Sequence, residues 1–452
     1  MSVAPAFDAA AMSLSVDDAA LLGRRAVLGP AYRLFYEKPF APVRGLDVWL
    51  YDAAGRAYLD AYNNVPSVGH CHPRIVAALQ RQATALNTHT RYLHESVVEY
   101  AERLVARFPA ALDTVMFTCS GSEANDLALR IVHEATGRRG LIVTENAYHG
   151  VTAALADLSP SVQSRAYRGA APGGAPALPL APHVRTVRAP DVQRAGLRGA
   201  ASGPDVAARF ALDVRMAIAD LQRGGVEPAA LIVDTVFASD GIHTDPVGSL
   251  AAGAAVIREH GGLFVADEVQ GGFGRTGGVW WAFERDGIVP DIVTLGKPMG
   301  AGHPVAGLVT RAELLADFGA RRRYFNTFGG NTVSAAVGLA VLDVIEEEGL
   351  VERAGVVGAH LQERLAALAL RHAEIAEVRG RGLYIGVALI DPDGGPGTER
   401  AIGVMNRLRE RGILIGLCGL DSNVLKIRPP LTFGVDHADL LVGALDAALG
   451  EA

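Results

Sequence analysis

The sequence predicts an α/β protein: a large domain on a mostly parallel sheet, with a smaller α+β domain assembled from both ends of the chain. Three observations carry this reading. Continuous apolar runs recur at residues 115–118, 141–143, 231–233, 263–266 and 292–295. Between them lie stretches such as 123–134 and 249–260 with apolar residues at helical spacing. Buried strands alternating with helices belong to a parallel sheet covered on both faces. Third, the texture changes before about residue 70 and after about residue 330, which divides the chain into residues 1–70 and 330–452 for the small domain and 71–329 for the large one.

Taken in order, residues 48–52 and 57–60 flank a turn containing Gly55 and read as a small hairpin. The central apolar strands and their helices follow. Residues 160–205 hold seven of the 23 prolines, too much breaker chemistry for a regular element, and read as a surface excursion. Two long helical patterns come next, at 332–348 and 350–372, then strands around 382–390 and 424–427. There is no internal repeat.

At 452 residues the chain is long enough for two or three domains, or one large core with a companion. With 50% hydrophobic and 20% charged residues it is neither disordered nor fibrous. The 42 basic and 49 acidic side chains give a net charge of −7 with no long basic run, so no footprint for nucleic acid or an anionic membrane is present. No apolar stretch reaches the roughly 18 residues of a membrane span, and the N-terminus lacks the pattern of a signal peptide. Three widely spaced cysteines offer no disulfide framework and suit a reducing compartment, so the expected location is the cytoplasm. Only Lys38, Lys297 and Lys426 are lysines among the 42 basic residues, which makes a lysine inside a motif conspicuous.

Chemistry can reside in three places. Thr118-Cys119-Ser120-Gly121-Ser122-Glu123 runs from a strand into a helix. Its free N–H groups and positive helix end form either a phosphate seat or an ordinary Ser N-cap. Asp267 ends an apolar strand at the edge where open α/β sheets bind ligands, serving there as a ligand contact or as half of a salt bridge. Lys297 follows another buried strand between Gly296 and Pro298, either as a surface lysine or as an amine whose burial frees it for nucleophilic chemistry. Asp267 and Lys297 are 30 residues apart, about one crossover, so both converge on one edge facing the helix start. A phosphate seat, a carboxylate for a pyridinium nitrogen and an amine for an aldehyde are what pyridoxal phosphate requires.

With these motifs, the chain from about Tyr32 to its C-terminus resembles the class III (omega) aminotransferases of the fold-type I pyridoxal-phosphate enzymes. The resemblance rests on Gly69-His70-Cys71-His72-Pro73, Ser120-Gly121-Ser122-Glu123-Ala124-Asn125, Ala147-Tyr148-His149-Gly150, Asp267-Glu268-Val269-Gln270, Gly296-Lys297 and Asn326-Thr327-Phe328-Gly329-Gly330-Asn331. It implies pyridoxal 5'-phosphate as cofactor, bound as a Schiff base on Lys297, which also moves the substrate Cα proton, while Asp267 keeps the ring nitrogen protonated. It further implies Tyr148 and Val269 on the two ring faces, Gln270 at the ring hydroxyl, His149 beside the cofactor, and Ser120, Gly121 and Ser122 at the phosphate. Thr327 joins that phosphate from the neighbouring subunit of a homodimer. The partners expected are an amine or amino acid donor and a 2-oxo acid acceptor. Arg428, in Val424-Leu425-Lys426-Ile427-Arg428-Pro429-Pro430, matches the family's arginine-bearing strand and is either the substrate carboxylate's bidentate partner or a structural ion pair.

The chain departs from the family where Glu-Pro-x-Gln is usual. It reads Asp234-Thr235-Val236-Phe237-Ala238-Ser239-Asp240-Gly241, with a shorter acid, Phe in place of Gln, and an unsettled handling of dicarboxylate acceptors. Asn63-Asn64-Val65, the stretch from Leu86 to His94 and Phe325-Asn326-Thr327-Phe328-Gly329 resemble a phospho-lyase branch that eliminates phosphate from phosphoethanolamine or phosphohydroxylysine. There Arg91 would grip a substrate phosphate or brace a loop. That branch carries lysine at the position of Arg428, which favours the aminotransferase. Two other readings are weaker: Gly272-Phe273-Gly274-Arg275-Thr276-Gly277 has dinucleotide spacing but no strand immediately before it, and His70-Cys71-His72 lacks a second metal-ligand cluster, so no metal is expected.

Overall fold

The computed structural model describes residues 18–29, 31–163, 179–192 and 203–451. The first strands are β1 (Pro42–Leu46), β2 (Trp49–Asp52) and β3 (Ala57–Asp60), paired antiparallel in sequence. The turn between β2 and β3 closes as Asp52 Oδ1 accepts from the N–H groups of Ala54 and Arg56, with Gly55 at φ 80° supplying the left-handed residue.

The central sheet contains β4 (Thr114–Thr118), β5 (Gly140–Thr144), β6 (Val184–Val187), β7 (Pro228–Asp234), β8 (Leu263–Asp267), β9 (Ile292–Leu295) and β10 (Ala306–Thr310), in the order β4-β10-β9-β8-β7-β5-β6. Every pair is parallel except those of β10, which runs antiparallel to both β4 and β9. The C-terminal ends of β4, β5, β7, β8 and β9 therefore share one edge. In the C-terminal region β11 (Ile375–Arg381), β12 (Tyr384–Leu389), β14 (Gly416–Cys418) and β15 (Val424–Ile427) form a sheet of order β11-β12-β15-β14, whereas β13 (Ile413–Leu414) pairs parallel with β3. The two ends of the chain thus share one sheet.

The helix after β4, Gly121–Thr136, buries Ala124, Asn125, Leu127, Ala128, Ile131 and Val132. Its long apolar side chains contribute about 1.5–3 kcal/mol each on burial. Ser120 Oγ accepts from Glu123 N at 3.2 Å, while Glu123 Oε2 accepts from Ser120 N at 3.0 Å and Cys119 N at 2.7 Å, a capping box that fixes where the helix begins. Gly137 at φ 66° ends it.

Sequence expectation and structure part company in a few places. Within 160–205, residues 164–178 and 193–202 lie outside the described residues, but Val184–Val187 is a regular element, the parallel edge strand β6. Its prolines, Pro182 and Pro190, flank the strand without interrupting it. The second long helix ends at Ala369. The strand expected at 382–390 is β12, half of a hairpin with β11 across Gly382. A Cβ at Gly382 would lie 2.4 Å from the carbonyl carbon of Thr276, so the hairpin turn rests directly on the 275–276 backbone. Nor does a helix open at Gly277, whose added Cβ would meet Gly355 Cα at 2.4 Å; this glycine allows close packing rather than dinucleotide approach. His70 Nε2 lies 2.7 Å from Asp60 Oδ2 and Pro73 starts the next helix. Among the described residues no cluster is placed to hold a metal ion, and no helix is long and apolar enough to cross a membrane.

Candidate active site

The strand register sets the site. Asp234 at the end of β7 pairs with Asp267 at the end of β8, Asp267 pairs with Thr294 on β9, and Lys297 follows β9 after the single residue Gly296. Asp267 is 4% exposed, and three groups converge on it: His149 Nδ1 at 2.8 Å and Asn125 Nδ2 at 3.0 Å reach Oδ2, and Val269 N donates to Oδ1 at 3.1 Å. Thr294 Oγ1 donates to Asn125 Oδ1 at 2.7 Å, which turns the amide NH2 toward Asp267 and toward the His149 carbonyl at 2.9 Å. The same network places the ring proton of His149 on Nδ1, leaving Nε2 buried and without a hydrogen-bond partner among the described residues.

Lys297 is held by Gly296 on one side and Pro298, in a single 3-10 turn, on the other. Its Nζ makes no hydrogen bond or ion pair among the described residues. Burial, reinforced by the nearby Arg428, pushes this amine below the ordinary lysine range against the pull of Asp267 and Asp234. A buried amine that sheds its proton readily is a nucleophile and a base.

A cavity of about 280 Å³ opens beside Lys297 and is lined by every residue expected at the cofactor except Thr327. Ser120, Gly121 and Ser122 bring the N-terminus of the helix Gly121–Thr136 to its wall. A Cβ on Gly121 would stand 3.0 Å from Val269, so glycine there lets the helix end come down onto the strand edge. Ser122 Oγ accepts from Val151 N at 3.2 Å and fixes the loop that carries Tyr148 and His149.

The structure places four further expected residues, Thr327, Arg91, Arg428 and Gln270, as follows. Thr327 is exposed and off the cavity of its own chain. Arg91 is exposed too; its guanidinium lies 3.7 Å over the Phe325 ring and braces a loop, making no contact with the cavity of its own chain. Among the described residues Arg428 has no ion-pair partner, and it does not line the cavity. It donates from Nε to Tyr62 O at 3.2 Å and from Nη1 to Gln270 Oε1, beneath the rings of Tyr62 and Tyr384. Gln270 lines the cavity, but its amide is engaged below: Nε2 donates to Asp234 Oδ2 at 2.9 Å, and Oε1 accepts from Tyr384 OH at 3.0 Å, Arg428 and Lys426. The neutral amide is what separates the short Asp234 from these cations.

Sequence reasoning missed His303, which lines the cavity with Nε2 2.9 Å from Ser334 Oγ and carries no motif signal. It also missed Lys426, whose rarity as a lysine was a usable sign. Asp240, at the departure from the family pattern, accepts from Thr144 Oγ1 at 2.6 Å and Asn146 N at 3.0 Å and so pins the end of β5. Burial raises this carboxyl to about 7.

A lysine, a carboxylate and a helix N-terminus on one edge of such a sheet define a fold-type I pyridoxal-phosphate enzyme. The chain belongs to the class III aminotransferase family, whose profile (Aminotransferase class-III) matches residues 35–449. It is 38% identical over 418 residues to the Drosophila melanogaster protein named alanine–glyoxylate aminotransferase 2-like, covering 91% of this chain and 83% of that one. Among solved structures it resembles a phospholyase from Arthrobacter in complex with phosphoethanolamine, with TM-score 0.88, 43% identity, and coverage of 96% of this chain and 100% of that one. It also resembles an (S)-enantioselective omega-transaminase from Thermomicrobium roseum, with TM-score 0.83, 29% identity, and coverage of 97% and 99%. The protein is an enzyme of this class, and pyridoxal phosphate is its cofactor.

Proposed function

We propose that the chain moves an amino group from a small primary amine or amino acid to a 2-oxo acid, as a cytoplasmic homodimer. The observation that carries this is the placement of Asp267 and Lys297 at the ends of neighbouring strands around one cavity. The residues present fit the cofactor: free N–H groups at residues 120–122 suit its phosphate, the Asp267 carboxylate suits its ring nitrogen, and Lys297 suits its aldehyde. Pyridoxal phosphate, when bound, supplies an electron sink for charge that develops at the substrate Cα. Lys297 Nζ removes the Cα proton and returns it. Asn125 and His149 hold Asp267 in place, and Tyr148 and Val269, which line the same cavity, would flank the ring. The homodimer is supported by Thr327 lying outside its own cavity on an exposed apolar surface, and the compartment by the free cysteines Cys71, Cys119 and Cys418.

A second reading has its own support. Among the described residues Arg428 is not paired with a carboxylate, and the Arthrobacter structure of 43% identity is that of a phospholyase. Both reactions begin with Cα deprotonation by Lys297 and diverge at the next step, when the substrate either exchanges its amino group or loses a β-phosphate. One experiment separates them: amine donors against pyruvate and 2-oxoglutarate, assayed beside phosphate release from phosphoethanolamine. Alanine or glutamate formation is the expected result. Rapid phosphate release without either product would overturn transamination in favour of elimination.

A further inference from the structure

Asp240 belongs to the stretch 234–241 that departs from the family pattern, and it is 7% exposed. Both of its oxygens face the chain leaving β5: Oδ2 accepts from Thr144 Oγ1 at 2.6 Å and Oδ1 from Asn146 N at 3.0 Å. Asn146 Nδ2 donates in return to Ser239 O at 2.6 Å and closes the clamp. Among the described residues the carboxylate has no ion-pair partner. Arg379 on β11 lies against Gly241, yet it donates to that residue's carbonyl and to Glu377 Oε2 at 2.6 Å. Asp234 at the end of β7 and Glu145 after β5 oppose the ionisation of Asp240, Cys418 on β14 faces it, and His243 borders Gly241. Burial without a cation is unfavourable for a carboxylate, and an asparagine would hold Thr144 and Asn146 without that cost.

The clamp stands at the root of a loop that serves the cavity. Asn146 comes two residues before Tyr148 and three before His149. Further along the loop, Ser159 Oγ accepts from His149 N at 3.1 Å, Asp267 holds the His149 ring, and Ser122 Oγ accepts from Val151 N. We propose that Asp240 is a positioning residue for the cofactor: through Asn146 it sets the loop that places Tyr148 and His149, and its negative charge is what holds that loop in register. A charged carboxylate accepts more strongly than a neutral oxygen. Burial, against the pull of the two donors, raises Asp240 to about 7, so acidification through neutrality weakens the bond from Asn146 N. Thr144 can follow, since its hydroxyl turns round to accept. A small displacement of residues that flank the cofactor is enough to change how tightly it is held. This rests on the reading of the cavity as the cofactor's seat, and it holds whichever reaction follows Cα deprotonation.

The test is the dissociation constant of pyridoxal phosphate from the full-length enzyme, followed by visible absorbance between pH 6 and pH 8, with visible circular dichroism reporting the set of the ring. Asp240→Asn keeps the shape and lacks the charge. Its dissociation constant should exceed that of wild type about three- to tenfold at pH 8. The ratio should fall toward one at pH 6, where Asp240 of the wild type is itself protonated. Groups that titrate in both proteins, Lys297 among them, cancel in that ratio. Thr144→Val removes a donor from the carboxylate and should move the midpoint of the wild-type pH dependence upward. Far-ultraviolet circular dichroism and the melting curve verify that each variant is folded, and if Asp240→Asn does not fold, the Thr144→Val shift decides alone. The role is overturned if folded Asp240→Asn binds the cofactor as wild type does at pH 8, or if the ratio is the same at both pH values, as a merely structural acceptor would make it. An unmoved midpoint in Thr144→Val overturns it as well. Wild-type enzyme that shows the expected cofactor binding yet turns over neither an amine nor phosphoethanolamine would overturn the proposed function and leave the role of Asp240 standing.

Discussion

Asn125 orients three other groups with one amide. Its oxygen is committed to Thr294 Oγ1, and its nitrogen is divided between the His149 carbonyl and Asp267 Oδ2. Asn125→Ala would strip partners from several buried polar groups at once, an expected loss of about 1–3 kcal/mol in the denaturant unfolding free energy. Because Asp267 then loses one of its two fixed donors on Oδ2, the variant should also retain less cofactor, read as visible absorbance per chain after gel filtration. Unchanged stability and absorbance would mean that His149 alone positions the carboxylate. Asp267 and Lys297 were legible in the sequence because each ends a buried strand and lysine is rare in this chain. The part played by Asn125 was not, since its bond to Asp267 spans 142 residues and no local pattern encodes it. The engagement of Gln270 below the cavity was hidden for the same reason: its partners lie 36 to 158 residues away.

At the level of elements, the helix Gly121–Thr136 joins stability to function, since the capping box that starts it also presents its first N–H groups to the cavity. Ser120→Ala removes the side-chain acceptor for Glu123 N and should cost about 1 kcal/mol, seen as a lower melting temperature. Cofactor affinity should fall with it, because the first turn frays where the phosphate is expected to sit. A drop in melting temperature with unaltered cofactor affinity would confine Ser120 to a structural role. Apolar runs made five central strands readable, and the exceptions have identifiable causes. β10 contains Gly307, which breaks its apolar pattern; a Cβ there would approach Met116 O to 2.7 Å, a constraint visible only once β4 lies alongside. β11 carries Glu377, Arg379 and Arg381 on a partly exposed strand, so it shows no apolar run at all. The Val-Arg-Thr-Val of β6 was overlooked among prolines that bound it rather than break it.

On the scale of the whole molecule, the exposed apolar surface around the loop 86–94 matters most. Leu93 is 99% exposed, and Tyr92 beside it stacks on His89, whose ring also meets Phe325 edge-on. Thr332 Oγ1 donates to Leu86 O at 2.7 Å, which ties this loop to the segment carrying Thr327 and the 69% exposed Phe328. Arg91, Thr327 and these apolar side chains therefore belong to one surface, while the cavity of the same chain includes none of them. A second copy covering this surface would bury Leu93, a gain of about 1.5–3 kcal/mol from that side chain alone. Leu93→Asp loses that gain and sets a charge in the contact, so self-association measured by analytical ultracentrifugation should weaken at least about tenfold. If the neighbouring chain supplies Thr327 to the phosphate seat, diluting the variant should release pyridoxal phosphate at protein concentrations where the wild type holds it. A Leu93→Asp protein that stays associated, or that dissociates yet keeps its cofactor, would show that each chain closes its own site and that the exposed loop serves another contact.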